Sequence, residues 1–251
     1  MKIDPIEDNG IERAIYYFGT YEKGTLDVIG KMLTLGDTFV DIGANIGLMS
    51  LYASYAVGDS GKVISFEPNP KTHEMLKDNI NLNNRQNIKP ESFAISSETK
   101  DSKIYDRWDV NRGGASLIKH SESDQSYDIK EIVFSDYFSQ TDEIKLIKID
   151  VEGYELEVLK GAKKFITESQ NPPMMVVEFS SKRNNTFGED TAPLYTFIKD
   201  FNIFKMYKSA LGKEKLSKLT EIKSISDLPE HDNIYCIPEK NLSKLPQSLF
   251  Y

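Results

Sequence analysis

Thr38-Phe39-Val40-Asp41-Ile42-Gly43-Ala44-Asn45-Ile46-Gly47 decides how this chain folds. Thr38 to Ile42 form a compact β-rich run, glycines at 43 and 47 punctuate a turn, and residues 48–54 continue with helical patterning. A strand, a tight turn and a helix open a parallel α/β sheet, whose ligands bind in the crevice beyond the carboxyl ends of the strands. Without a Cβ, both glycines are expected to let the backbone approach a ligand closely.

Upstream, apolar residues at Leu26, Val28, Ile29, Met32 and Leu33 predict a short helix over 24–35 that stops at Gly36-Asp37. Residues 1–36 are therefore expected to form an N-terminal helical cap segment, and 37–251 one domain. Downstream, Lys62 to Phe66 read as a second strand, turned by Glu67-Pro68-Asn69-Pro70 into a helix over 71–82. Residues 88–96 predict a third strand despite Pro90, and 145–149 a fourth that ends at Asp150-Val151-Glu152-Gly153. A helix over 154–166 and a fifth strand at 174–179 follow. Pieces at 203–207 and 234–237 are expected to complete the sheet as an antiparallel edge pair. Residues 100–140 break the alternation and are expected to be a loop-rich insertion over the sheet edge. The fold class is α/β, a mostly parallel sheet covered by helices on both faces.

A chain of 251 residues, 39% of them apolar, suits one sizeable core. The net charge of −8 argues against a nucleic-acid partner, which needs clustered cations to neutralise phosphates. Cys236 is the one cysteine, so no intrachain disulfide or thiolate metal cluster forms, and a buried strand position suits it. A reducing, cytoplasmic location is expected. The start carries Asp4, Glu7 and Asp8 where a signal peptide needs positive charge, and no membrane span is written anywhere. The oligomeric state is not legible.

The glycine turn must hold a cofactor, and the residues choose among cofactors. A dinucleotide fingerprint needs a second glycine where Asn45 stands. Two phosphates would also be repelled by Asp41, whereas a cationic sulfonium is attracted by it. Glu67, ending the second strand, can accept both hydroxyls of a ribose, in an NAD or an adenosylmethionine alike. Together these features favour S-adenosylmethionine over a nicotinamide-dependent oxidoreductase. A cofactor-binding scaffold without catalysis stays open.

Residues 39–47, Val63 to Pro70, Leu146 to Glu155 and Val158 to Ala162 resemble the FkbM family of S-adenosylmethionine-dependent O-methyltransferases. Gly19 to Glu22 and Gly113 to Leu117 also resemble it, and the likeness runs from about residue 19 to 180. The resemblance implies a seven-stranded Rossmann-like methyltransferase sheet with an antiparallel edge strand. It also implies methylation of a hydroxyl on a sugar, glycan or small natural product. Asp41, Gly43, Ala44, Asn45 and Gly47 would hold the methionine part of the donor, Glu67 with Pro68 the ribose, and Phe93 and Ala94 the adenine.

An alcohol is a poor nucleophile near neutral pH and wants a base within hydrogen-bond reach. Asp150, Glu152 and Glu178 stand at adjacent strand ends. Asp150 reads as base or substrate anchor with Glu152 as its partner. Glu152 could instead cap the next helix, and Glu178 could be a buried paired carboxylate or a second base. Clustered carboxylates can also bind a divalent cation, but their spacing is not diagnostic and no metal is expected. His120 could reach the site as a proton acceptor, and Tyr105, Trp108 and Arg112 could meet a sugar ring. Asn171-Pro172-Pro173-Met174 resembles the signature of adenine amino-group methyltransferases, but it precedes the fifth strand and reads as strand entry.

Overall fold

The structure, a computed structural model, describes residues 1–8, 10–106, 117, 125–180 and 193–251. Two helices come first, α1 (Ile11–Phe18) and α2 (Lys23–Met32). Then follow β1 (Thr38–Ile42), α3 (Leu48–Val57), β2 (Lys62–Phe66), α4 (Pro70–Leu82), β3 (Ile88–Glu91) and β4 (Phe93–Ser96). The chain continues through β5 (Lys100–Tyr105), β6 (Ser126–Val133), α5 (Phe134–Tyr137), β7 (Leu146–Ile149), α6 (Glu155–Glu168) and β8 (Met174–Ser180). Its last part holds α7 (Pro193–Asp200), β9 (Phe204–Ser209), β10 (Leu219–Glu221) and β11 (His231–Pro238).

Among the described residues, eight strands form the main sheet in the order β10-β9-β11-β8-β7-β1-β2-β3. The pairs from β8 through β7, β1 and β2 to β3 are parallel, while β11 runs antiparallel to both its neighbours and β10 antiparallel to β9. The expected class is present, with one strand more than the seven expected. The antiparallel region is wider than an edge pair, because β11 lies inside the sheet and β10 takes the edge.

Two-sided burial explains the apolar runs. Val40, Ile147, Met175 and Val177 face one core with Leu159, Phe165 and Ile198 of α6 and α7. Phe39, Leu146, Met174 and Val176, one residue out of phase, face the other with Ile29, Leu51 and Leu76 of α2, α3 and α4. Cys236 is fully buried in the first core, as expected.

Two expectations are corrected. The single strand over 88–96 is two, and β4 leaves the main sheet for a second one of order β4-β6-β5. Residues 100–105 and 126–133, expected to be loop, are the other two strands of that sheet, paired antiparallel from Lys100 opposite Glu131 to Tyr105 opposite Ser126.

Candidate functional site

The glycine turn lies where β1, β2 and β7 end. Gly43, Asn45 and Gly47 have φ of 84°, 51° and 93°, a left-handed course that favours glycine. The amides of Gly43 and Ala44 donate to the Phe66 carbonyl at 3.0 and 2.9 Å. The Asn45 amide donates to Oε2 of Glu67 at 2.9 Å, and the Asn69 amide to its Oε1 at 2.9 Å. Glu67 therefore ties the turn to the start of α4. It is 7% exposed, and burial pushes its carboxyl up to about 7 against the pull of those two amides.

The two glycines have a reason other than ligand approach. A Cβ on Gly43 would stand 1.8 Å from the Asp150 carbonyl oxygen, and one on Gly47 would stand 2.6 Å from Cδ1 of Leu76. Both positions are closed by the protein's own packing.

Gly43, Ala44, Asn45, Glu67, Pro68, Phe93 and Ala94 line one cleft of about 1040 Å³, its open mouth included. Asp41 and Gly47 are not among its lining residues. Asp41 is fully buried and accepts from Oγ of Ser50 at 2.6 Å, and Ser65 donates in turn to Ser50 at 2.8 Å. Period two explains this: Asp41 shares a strand face with Phe39, which points into the helix layer. Burial raises the Asp41 carboxyl, opposed by Lys148 and by the Ser50 hydroxyl.

Asp150, Glu152 and Glu178 line the same cleft, with one carboxylate oxygen from each within 4.8 Å of the others. Two buried ammonium groups stand among them. Nζ of Lys148, on β7, is 2.7 Å from Oδ2 of Asp150 with its side chain only 4% exposed. Nζ of Lys213, between β9 and β10, is 3.2 Å from Oε1 of Glu178 and 2.8 Å from Oε1 of Glu22. Burial works to raise the Asp150 carboxyl, but Lys148 and Lys213, with hydrogen bonds from Lys148 and Glu178, outweigh it and hold it down at about 2. Burial also disfavours charge on both lysines; the carboxylates around them reverse that and raise them above their ordinary value. Nε2 of His231 stands 3.6 Å from Glu178.

Oε1 of Glu155, the first residue of α6, accepts from the amides of Val151 at 3.2 Å and Gly153 at 3.0 Å, in the turn just ahead of the helix. Glu152 itself sits in the left-handed region, φ 55°. His120, Trp108 and Arg112 lie outside the described residues. Tyr105 ends β5 half-buried and does not line the cleft, although its neighbour Ile104 does.

Sequence reasoning missed the polar lining residues Tyr21, Glu22, Lys148, Tyr154 and Lys213. Lys148 had a signal: a lone charge within the apolar strand Leu146 to Ile149. Tyr21 and Glu22 lie in the stretch 19–22 that resembles the family, but nothing in the sequence joins them to Lys213, which only the closed fold brings near.

A Rossmann-like sheet, a glycine turn with Asn45 where a dinucleotide fingerprint needs glycine, and a buried acid ending the next strand fit the class of S-adenosylmethionine-dependent methyltransferases. A solved structure assigned as an rRNA-methylase from Clostridium thermocellum shares this fold, with TM-score 0.53 and 12% identity over 85% of this chain and 92% of that one. The chain belongs to the FkbM methyltransferase family, whose profile, the Methyltransferase FkbM domain, matches residues 41–204. S-adenosylmethionine is the methyl donor of that family. The chain is 30% identical over 148 residues to the hexuronic acid methyltransferase AglP of Haloferax volcanii, a match spanning 55% of this chain and 56% of that protein. It is 29% identical over 153 residues to the methyltransferase sdnD of Sordaria araneosa, spanning 49% and 59%. The chain thus spans less than two-thirds of the length of these relatives. No helix among the described residues is long and apolar enough to cross a membrane.

Proposed function

We propose that the protein transfers the methyl group of S-adenosylmethionine to a hydroxyl oxygen of a sugar, glycan or small natural product. The observation that carries this reading is the single cleft that joins the Asn45–Glu67 turn to the Asp150, Glu152 and Glu178 carboxylates.

The donor end fits its ligand in kind. Glu67 keeps lone pairs beyond the two it gives to Asn45 and Asn69, enough to accept from ribose hydroxyls. Phe93, Ala94 and Ile104 offer apolar walls for an aromatic base. Gly43, Ala44 and Asn45 present backbone to the methionine part, and Asp41 and Gly47 shape that turn from beneath. When bound, the donor supplies an electrophilic methyl on a sulfonium that becomes a neutral thioether as its carbon–sulfur bond breaks. Acidic groups outnumber basic ones around the cleft, which suits a cationic donor.

At the acceptor end the carboxylates take different parts. Asp150, held at about 2, is a weak proton acceptor and anchors the acceptor as a hydrogen-bond acceptor. Glu152 takes the hydroxyl proton as the oxygen lone pair forms the new carbon–oxygen bond. Glu178 keeps Lys213 in place. A hexuronic acid methyltransferase among the relatives supports a sugar acceptor.

The test follows labelled methyl groups from S-adenosylmethionine into a panel of sugars, glycosides and small alcohols. Glu152→Gln should lower kcat by about 10²- to 10⁴-fold with donor affinity retained, and Asp150→Asn should act mainly on acceptor KM. Label arriving on nitrogen, or Glu152→Gln turning over at the wild-type rate, would refute the assignment. Absence of transfer to every acceptor would favour a non-catalytic scaffold.

A further inference from the structure

The acceptor end of the cleft is built partly from outside residues 41–204, the span of the family profile. Tyr21 and Glu22 precede residue 41, Lys213 follows residue 204, and all three line the cleft. We propose that Lys213 is the specificity-determining residue of this end. Its ammonium and the flanking carboxylates of Glu22 and Glu178 recognise a vicinal diol, so the acceptor is a polyol bearing a free hydroxyl beside the one methylated. This deepens the hydroxyl-methylation reading and rests on it.

An ammonium group has three N–H donors. Two of its sides are engaged: Nζ donates to Glu178 at 3.2 Å and stands 2.8 Å from Oε1 of Glu22 as an ion pair. The third remains for a ligand in the cleft, where the side chain is 11% exposed. A sugar hydroxyl is donor and acceptor at once. A neighbouring pair of hydroxyls is therefore met by an ammonium and a carboxylate that already stand one hydrogen bond apart. A mono-alcohol can satisfy one of these groups and leaves the other desolvated and unmatched, the kind of mismatch that discriminates strongly between substrates.

The group is also preorganised. The amides of Gly24 and Thr25 donate to the Lys213 carbonyl at 2.8 and 3.2 Å, which fastens the β9–β10 connection to the start of α2. The fit leaves no room at Gly24, where a Cβ would stand 2.4 Å from the Lys215 carbonyl oxygen. Nδ2 of Asn233 on β11 donates to Glu22 at 3.1 Å and to Thr25 at 2.8 Å. Lys213 is thus held through its backbone and its side chain, as a recognition group must be to be selective.

The experiment compares kcat/KM, with labelled S-adenosylmethionine, for pyranosides, their monodeoxy analogues and matched mono-alcohols. The wild type should prefer the diol over the analogue lacking the neighbouring hydroxyl by at least about tenfold. Lys213→Met should reduce that preference to below about threefold through KM, with the donor dissociation constant within about twofold. Lys213→Arg preserves the charge that Glu22 and Glu178 require. It should fold as the wild type does yet lose part of the preference, because its planar fork places donors differently. A wild type that methylates mono-alcohols as well as diols, or a Lys213→Met or Lys213→Arg variant with undiminished preference, overturns the diol subsite and leaves hydroxyl methylation standing. Transfer to no alcohol at all, with donor affinity intact, overturns both.

Discussion

Glu67 should make donor binding depend on pH, and Glu67→Gln should remove that dependence. Burial lifts the carboxyl from 4.5 to about 7 in the free protein. At about 1.4 kcal/mol for each factor of ten, its ionised form is disfavoured by about 3 kcal/mol. The ribose hydroxyls give that form new hydrogen-bond donors, so donor binding favours ionisation and expels a proton wherever the free protein holds one. Affinity then falls as pH falls through 7, and between pH 7.5 and 5.5 the dissociation constant should rise about 25-fold. The free protein moves oppositely: the folded state binds the extra proton, so its stability falls as pH rises from about 4.5 to about 7 and levels above that. Calorimetric titration in buffers of different ionisation enthalpy reads both the affinity and the released proton. Glu67→Gln should bind about 10- to 100-fold more weakly, through the loss of a charge-assisted hydrogen bond. Any pH dependence surviving in that variant belongs to the donor itself. Identical pH profiles for wild type and Glu67→Gln would refute the reasoning.

Two further outcomes follow from packing and charge. Gly43→Ala combines a left-handed backbone, about 1 to 2 kcal/mol, with overpacking against the Asp150 carbonyl, about 1 to 3 kcal/mol. Its melting temperature should drop by roughly 4 to 20 °C, read by circular dichroism, whereas a ligand-contact role alone would leave it unchanged. Lys148→Met removes the buried partner of Asp150, whose own side chain is 22% exposed and keeps the attraction of Lys213, and should cost about 1 to 3 kcal/mol in denaturant unfolding. The double variant Lys148→Met, Asp150→Asn should lose clearly less than the two single losses added together, and full additivity would mean that the pair does not interact.

The strands of the main sheet were legible because they are buried on both faces. Leu146 to Ile149 and Met174 to Ser180 carry no exposed residue, and such apolar runs admit few readings. β5 and β6 hid for the opposite reason. They pack over a small cluster of Ala94, Ile104 and Ile129, so most of their side chains are polar and at least partly exposed. In sequence that composition is indistinguishable from a solvated loop. At the site, Glu67, Asp150, Glu152 and Glu178 were found because each stands near a strand end, a position fixed by local pattern. The state of Asp150 was legible only in part: Lys148, two residues away, holds it down most, but Lys213 adds to that from more than sixty residues along the chain. Asp41 misled because its place at the strand end suggested the cleft, while the alternation of β1 turns it inward.

The backbone at Glu152 separates stability from activity. A non-glycine residue at φ 55° bears a left-handed penalty of about 1 to 2 kcal/mol, and strain of this kind persists where surroundings hold it, often at functional sites. Glu155 fastens the turn through the Val151 and Gly153 amides, bonds that remain when the Glu152 carboxylate is lost. Glu152→Gly should therefore keep the turn, relieve the strain and raise the melting temperature by about 2 to 4 °C. Methyl transfer should fall by about 10²- to 10⁴-fold with the loss of the proton acceptor. A scan that shows the variant melting lower would mean that the Glu152 side chain holds the turn, and the strain would then be a consequence of packing rather than of chemistry. Opposite movements of stability and rate are what a strained base requires.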